Sequence, residues 1–387
     1  MAKADVSLCT VATPLHKRLL GLNHQLVGRL NPDTPVDWVV AENTELHLPK
    51  GGDLAAQYEN EPLKSVVPGA RIVAGPTLED VHDEELGQAS GSQEAERRRL
   101  LDKYLGSYHH AAALDLAMAE VRTRYAIIMD PDFYVVRPGW IDEVLARMQE
   151  EDLQVFGAPW SPRWYQKYRN FACTHLLVID LEKRPWTPGL LGPDLVGGGR
   201  RWASPIWTEY TRRLTEEPSR ARSYLMLRLP LAIFHDLRQR KTIGASRDTG
   251  YYLAKAALDD PEMRAELVTA VFAPEDGFMP PAVSALQCWP MLEAMLKDEQ
   301  RYLPRRGVSP EGFVHLYYPD FRAKGWEEFL WQGEPFAFHV RGEMHRKPTG
   351  GVDPQTVGEA LEQVMHRLGM APLAQAQKPR RRTRAAA

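Results

Sequence analysis

The alternation of apolar and polar positions divides the chain into short buried strands and amphipathic helices. Val6–Ala12 is a mostly apolar run closed by Thr13-Pro14 and reads as a first strand. Leu19, Leu22, Leu26 and Leu30 then recur at helical spacing, and Asn31-Pro32-Asp33 ends the pattern. Residues 36–41 form a second apolar run that terminates in Glu42-Asn43-Thr44. Strand, helix and strand with short links predict the start of a βαβ unit, and so an α/β fold with a parallel sheet. Residues 70–74 give a weaker third strand, 80–93 a polar surface loop, and 93–105 a helix rich in Arg and Glu. Residues 108–121 predict a separate helix, apolar at Leu114, Ala117, Met118 and Val121, with Ser107 as its N-cap. Tyr125–Met129 is a short apolar strand, a helix follows Pro138-Gly139, and strands begin at Val155 and His175. A helix covers 251–258 and a strand 336–340, where alternation sets His339 on the face opposite Phe338 and Val340.

The stretch around which the rest is organised is Tyr125–Met129 followed by Asp130-Pro131-Asp132. A strand feeding Asp-x-Asp brings two carboxylates to the carboxyl edge of the sheet, where open α/β sheets bind ligands. Two neighbouring anions repel each other. A divalent cation such as Mn²⁺ or Mg²⁺, held together with substrate phosphates, removes that cost. The same triplet also makes a good turn, since proline presets φ and aspartate bonds its own backbone. No G-x-G-x-x-G or Walker A pattern follows the first strand, so phosphate charge must be met elsewhere.

The order of strand, helix, apolar strand, Asp-x-Asp and later histidine resembles a GT-A glycosyltransferase, close to the inverting family 2 group. Residues 6–13, 36–44, 110–115, 125–135 and 339–345 carry the likeness, the aspartate pair being its specific part. The resemblance implies one α/β, Rossmann-like domain over 1–370 on a mixed, mostly parallel sheet flanked by helices, with a nucleotide-binding half to about residue 136 and an acceptor half over 137–370. It implies that Thr10, Ala12, Glu42 and Asn43 hold the base and ribose of a nucleotide sugar, with Glu42 on the base. The other reading of Glu42 and Asn43 is a loop cap. His110 would lie against the nucleotide, or be a histidine satisfied near a helix cap. Asp130 would be shared between metal and ribose, and Asp132 would be the more direct metal ligand. A late histidine completes the set, His339 in preference to His345. The general base would sit at a helix start in the acceptor half. Asp248, ahead of Thr249-Gly250 and a helical run, is preferred over Asp236 and Asp276, with a helix N-cap as its ordinary alternative. The acceptor stays unspecified: saccharide, lipid-linked or small molecule.

Composition narrows the classes. A 44% apolar share supports a sizeable core, and a net charge of −3 gives no sign of a nucleic-acid binder. Three scattered cysteines, without a C-x-x-C pair, argue against a zinc ribbon or disulfide framework and fit a reducing compartment. No signal region or membrane-length apolar run is present, so a cytoplasmic protein is expected. Trp160, Arg163, Trp164, Tyr165, Lys167, Tyr168 and Arg169 form an aromatic and cationic cluster suited to sugar rings and phosphate, while Arg200 and Arg201 lie in a glycine-rich loop. Residues 371–387 read as a disordered basic tail. A sugar nucleotidyltransferase would carry a glycine-rich basic loop after the first strand, which residues 10–14 are not. A non-catalytic carbohydrate-binding protein on the same fold could keep the aromatics and lose the metal set.

Overall fold

The computed structural model describes residues 5–43, 62–77, 79–81, 92–160, 171–193, 248–271, 326–340 and 354–373. Thr44, most of the aromatic cluster, Arg200, Arg201, Asp236, Asp276, His345, Cys288 and the tail beyond residue 373 lie outside the described residues. The described strands are β1 (Val6–Ala12), β2 (Val36–Glu42), β3 (Arg71–Ala74), β4 (Tyr125–Met129), β5 (Phe133–Val135), β6 (Val155–Pro159), β7 (Ala172–Asp180), β8 (Ala265–Leu267), β9 (Thr269–Val271), β10 (Glu327–Trp331) and β11 (Glu334–His339). The helices are α1 (Lys17–Leu30), α2 (Leu63–Val66), α3 (Ser92–Ala119), α4 (Trp140–Glu150), α5 (Tyr251–Asp259) and α6 (Pro354–Arg367).

The main sheet has seven strands in the order β3-β2-β1-β4-β7-β6-β8. Its pairs are parallel except those of β7, which runs antiparallel to β4 and β6. It is the mixed, mostly parallel sheet that the resemblance implies, the βαβ pattern alone predicting only its parallel part. β4 lies at its centre and is buried throughout, because a strand covered on both faces must be apolar at every position. On one face Leu8, Val40, Ile127 and Met129 pack against Leu20 and Val27 of α1 and Trp140, Ile141, Val144 and Met148 of α4. On the other, Cys9, Val39, Ala126 and Ile128 pack against Ala113, Leu114, Ala117 and Met118 of α3.

Two features depart from the sequence expectations. The segments 93–105 and 108–121 are one continuous helix, α3, so Ser107 is not an N-cap and His109 and His110 lie mid-helix. Gly106 lowers helix propensity without breaking the hydrogen-bond ladder, which burial of the Ala111–Met118 face sustains. The second feature is an additional antiparallel sheet, β5-β11-β10-β9. Its outer face stacks Tyr134 on Phe338 at 5.2 Å and Trp326 on Phe338 at 5.4 Å. There it joins Leu19, Leu22 and Leu26 of α1 and Val357, Leu361 and Val364 of α6.

The helices are also tied by polar groups. Asn31, just past α1, donates to Val27 O (2.9 Å) and accepts from Ile141 N (3.0 Å). It therefore caps α4 in place of Gly139, which has a left-handed φ of 68° and no side chain to do so. Between the two sheets, Phe336 is fully buried against Trp140, Phe156 and Trp331. Phe336→Ala is expected to cost about 3–5 kcal/mol of stability, read from chemical denaturation with an unchanged m-value.

Candidate active site

The Asp130-Pro131-Asp132 turn is the link between the two sheets: β4 of the main sheet enters it and β5 of the small sheet leaves it. Two ladders then decide what surrounds the carboxylates. On the main sheet, β7 pairs Leu176 with Met129, and Asp130 N donates to His175 O at 3.1 Å. That pairing brings His175 beside Asp130, with Nε2 3.6 Å from Oδ2. On the small sheet, β11 pairs His339 with Phe133, and Val340 N donates to Asp132 O at 2.9 Å. His339 Nε2 consequently lies 3.3 Å from Asp132 Oδ1. From the α3 side, His110 Nε2 stands 3.7 Å from Asp130 Oδ1.

The turn is also held from below. Asn23 of α1, buried at 1% exposure, donates to Phe133 O at 2.8 Å and points the same amide at Asp130 O and Pro131 O, each 3.5 Å away. No sequence pattern marks Asn23, since it interrupts the apolar face of a helix only once.

The two histidine rings lie 4.2 Å apart, and the edge of Trp160 meets His175 at 4.3 Å. His339 Nδ1 bonds Glu327 Oε2 at 2.9 Å, a buried carboxylate on the neighbouring strand β10. His175 Nδ1 lies 3.0 Å from Cys173 Sγ. Burial pushes the Asp132 carboxyl up, but the charge and hydrogen bond of His339, with His16 beyond, outweigh it and hold Asp132 below its usual range. Burial likewise lowers His339, and Asp132 and Glu327 together reverse that and raise it. His110 is lowered to about 4, first by burial and then by the charge of His16. An imidazole in that state is neutral at pH 7 and can accept or donate one hydrogen bond.

Asp130, His175 and His339 each offer one ligand atom, and these atoms all lie within 4.8 Å of one another. Carboxylate and imidazole are suitable donors for a divalent metal, and the Glu327–His339 pair is the outer support that orients a ligating imidazole. The set thus fits the cation expected from the aspartate pair. Asp130, not Asp132, sits with both histidines, while Asp132 pairs with His339. His175 was read from the sequence only as the start of a strand. The available signal was a polar Thr174-His175 pair at the mouth of an otherwise apolar run.

The carboxyl ends of β1 and β2 lie along the same edge. Asn43 N donates to Ala12 O at 2.8 Å, and Gly75 N to Glu42 O at 2.9 Å. A Cβ on Gly75 would come within 2.6 Å of Glu42 O and 3.1 Å of Asn43 Oδ1, so this approach needs glycine. Thr10 Oγ1 and Asn43 Oδ1 are buried without a hydrogen-bond partner among the described residues. Glu42 pairs with the buried Lys17 at 3.1 Å. Asp248 precedes α5, but Gly250 occupies the cap position and no side chain caps the helix. The N-cap alternative for Asp248 therefore fails: its carboxylate accepts from Thr249 N at 2.9 Å instead. Thr249 Oγ1 donates to Ser107 O at 3.2 Å, one turn of α3 before His110.

No family model and no curated protein matches the chain. Solved structures similar to it include the galactosyltransferase LgtC in complex with donor and acceptor sugar analogues, at 14% identity and a TM-score of 0.27. That match covers 48% of this chain and 62% of LgtC, less than two thirds of that protein's length. Mouse xyloside xylosyltransferase 1 is similar at 12% identity and a TM-score of 0.31, over 67% of this chain and 84% of that one. A mannosyltransferase from Pyrobaculum calidifontis, in complex with GDP-Man and Mn²⁺, has 11% identity and a TM-score of 0.30, over 79% and 83%. At these scores the likenesses decide nothing about this chain's chemistry, which rests on the site itself. Among the described residues no helix is long and apolar enough to cross a membrane.

Asn23→Ala leaves the carbonyls of the aspartate turn without their buried donor. It is expected to lower stability by about 1–3 kcal/mol and to weaken binding of a divalent cation, measured by denaturation and by equilibrium dialysis.

Proposed function

We propose that this chain is a glycosyltransferase that moves a sugar from a nucleoside-diphosphate sugar to an acceptor hydroxyl or amine, with a divalent cation and with inversion at the anomeric carbon. The observation that most supports this is the convergence of Asp130, Asp132, His175 and His339 at one sheet edge, in line with the carboxyl ends of β1 and β2. Asp130, Asp132 and His339 are the residues that would hold Mn²⁺ or Mg²⁺. A cation so held supplies positive charge to the diphosphate as the glycosidic C–O bond breaks.

The remaining roles belong to the chain itself. Thr10, Ala12, Glu42 and Asn43 bind base and ribose; the buried Oδ1 of Asn43 and Oγ1 of Thr10 offer hydrogen-bonding atoms there. Lys17 holds the Glu42 carboxylate in place. His110, neutral, presents a hydrogen bond to the nucleotide beside Asp130. Asp248 is the general base: it takes the acceptor proton as the acceptor atom attacks the anomeric carbon. The nucleoside diphosphate departs with the electron pair of the broken bond.

Incubation of the purified protein with a panel of nucleotide sugars and Mn²⁺ or Mg²⁺ should release nucleoside diphosphate, and excess chelator should stop it. Formation of nucleoside triphosphate and sugar 1-phosphate on addition of pyrophosphate would instead identify a nucleotidyltransferase. Asp132→Asn is expected to reduce kcat by about 10²–10³-fold with the fold intact by circular dichroism. Full activity in that variant, or in chelator, would remove the metal assignment.

Because Gly250 and not Asp248 caps α5, Asp248→Asn should leave stability nearly unchanged. It should lower kcat by about 10²–10⁴-fold, with KM for the sugar nucleotide little altered. Near-normal kcat in this variant would eliminate Asp248 as the base.

A further inference from the structure

Asp130, Asp132 and His339 are the residues proposed above to hold the cation, which leaves His175, the other imidazole of the cluster, unassigned. His175 is 2% exposed, is the fourth residue of β7, and directs Nε2 at Asp130. Its ring lies 4.2 Å from that of His339, yet the two arrive from different sheets. Each is held from behind through Nδ1, His339 by Glu327 and His175 by Cys173. Each therefore has Nε2 towards the aspartate turn. A metal–imidazole bond is about 2 Å long, so two donors on one ion are separated by at most about 4 Å. Ligand atoms of Asp130, His175 and His339 that all lie within 4.8 Å of one another are close to that span.

We propose that His175 is itself a ligand of the divalent cation, beside Asp130 and His339, and that the resulting two-imidazole site takes a transition ion such as Mn²⁺ in preference to Mg²⁺. The inference rests on the metal-dependent reading of the site and deepens it. Mg²⁺ prefers an oxygen set and gives up its water reluctantly, whereas imidazole nitrogen suits the transition ions. A site with one histidine loses little of its oxygen character. A second nitrogen shifts the balance, and it is supplied from the main sheet's own ladder by β7. The plain alternative is that His175 is a core histidine satisfied by Cys173 and Trp160, with no part in ligation.

The test uses Mn²⁺ alone as the probe. Equilibrium dialysis measures its affinity with and without a large excess of Mg²⁺, and pulsed EPR of the Mn²⁺-loaded protein reports directly bound nitrogen. The wild type should show couplings from two nitrogens and keep Mn²⁺ against Mg²⁺. His175→Gln should lose one nitrogen coupling and bind Mn²⁺ at least tenfold more weakly, since even the loss of an outer partner costs about 10–100-fold. His175→Asp, which restores a donor but not a nitrogen, should regain affinity while admitting Mg²⁺; its recovery separates ligation from a folding defect. Unchanged couplings and affinity in His175→Gln would overturn the inference while leaving the metal reading in place. Displacement of Mn²⁺ by Mg²⁺ in the wild type would overturn the preference. Failure of the wild type to bind Mn²⁺ at all would overturn both.

Discussion

Everything at this site depends on backbone hydrogen bonds at the two ends of one three-residue turn. Asp130 N is bonded to His175 O in the main sheet, and Asp132 O to Val340 N beside the small one. Strand pairing has a side-chain period of two, so a slip of one residue on either side would turn a histidine away from its aspartate. Asn23, bonded to the backbone of the same turn, adds a third restraint from α1. The carboxylates are thus positioned by three elements from different parts of the fold: β7, the small sheet and α1.

That arrangement has an electrostatic consequence. Asp132, His339 and Glu327 form a buried chain in which the two carboxylates raise His339 and His339 holds Asp132 below its usual range. A buried charge without a partner costs several kcal/mol, about 3–5 when one member of a pair is removed. The site is therefore self-consistent as it stands, and the chain also sets the terms for ligands. A cation that uses His339 must displace its proton, because only neutral imidazole ligates. Glu327 then remains as the outer hydrogen-bond acceptor that fixes the ring.

The comparison of α3 with its sequence expectation shows how local signals mislead. Gly106-Ser107 resembles a break followed by a cap, and the run rich in Arg and Glu before it reads as a helix of its own. Packing of Ala111, Leu114, Ala117 and Met118 under the sheet holds one rod instead. His110 still meets Asp130, as a residue on a helix flank and not at a helix start. At Asp248 the ordinary alternative to the base reading, a helix N-cap, is not what forms: Gly250 takes that position, and the carboxylate accepts from Thr249 N.

What the sequence by itself determined was whatever depends on periodicity and on near neighbours. The apolar runs of β1, β2 and β4, the leucine stripe of α1 and the alternation that turns His339 away from Phe338 are local properties. So are the two aspartates after the central strand, because strand and turn chemistry are written in adjacent residues. Only the tertiary structure decided which distant side chains meet them. His175 is 45 residues beyond Asp130 and His339 is 207 beyond Asp132, and nothing within either strand specifies its partner. Asn23 reaches the turn from 107 residues away, and β5, three residues long, is too short to announce a second sheet. Pairing between strands is chosen by the burial of whole faces, a property of the assembled layers that no single segment carries.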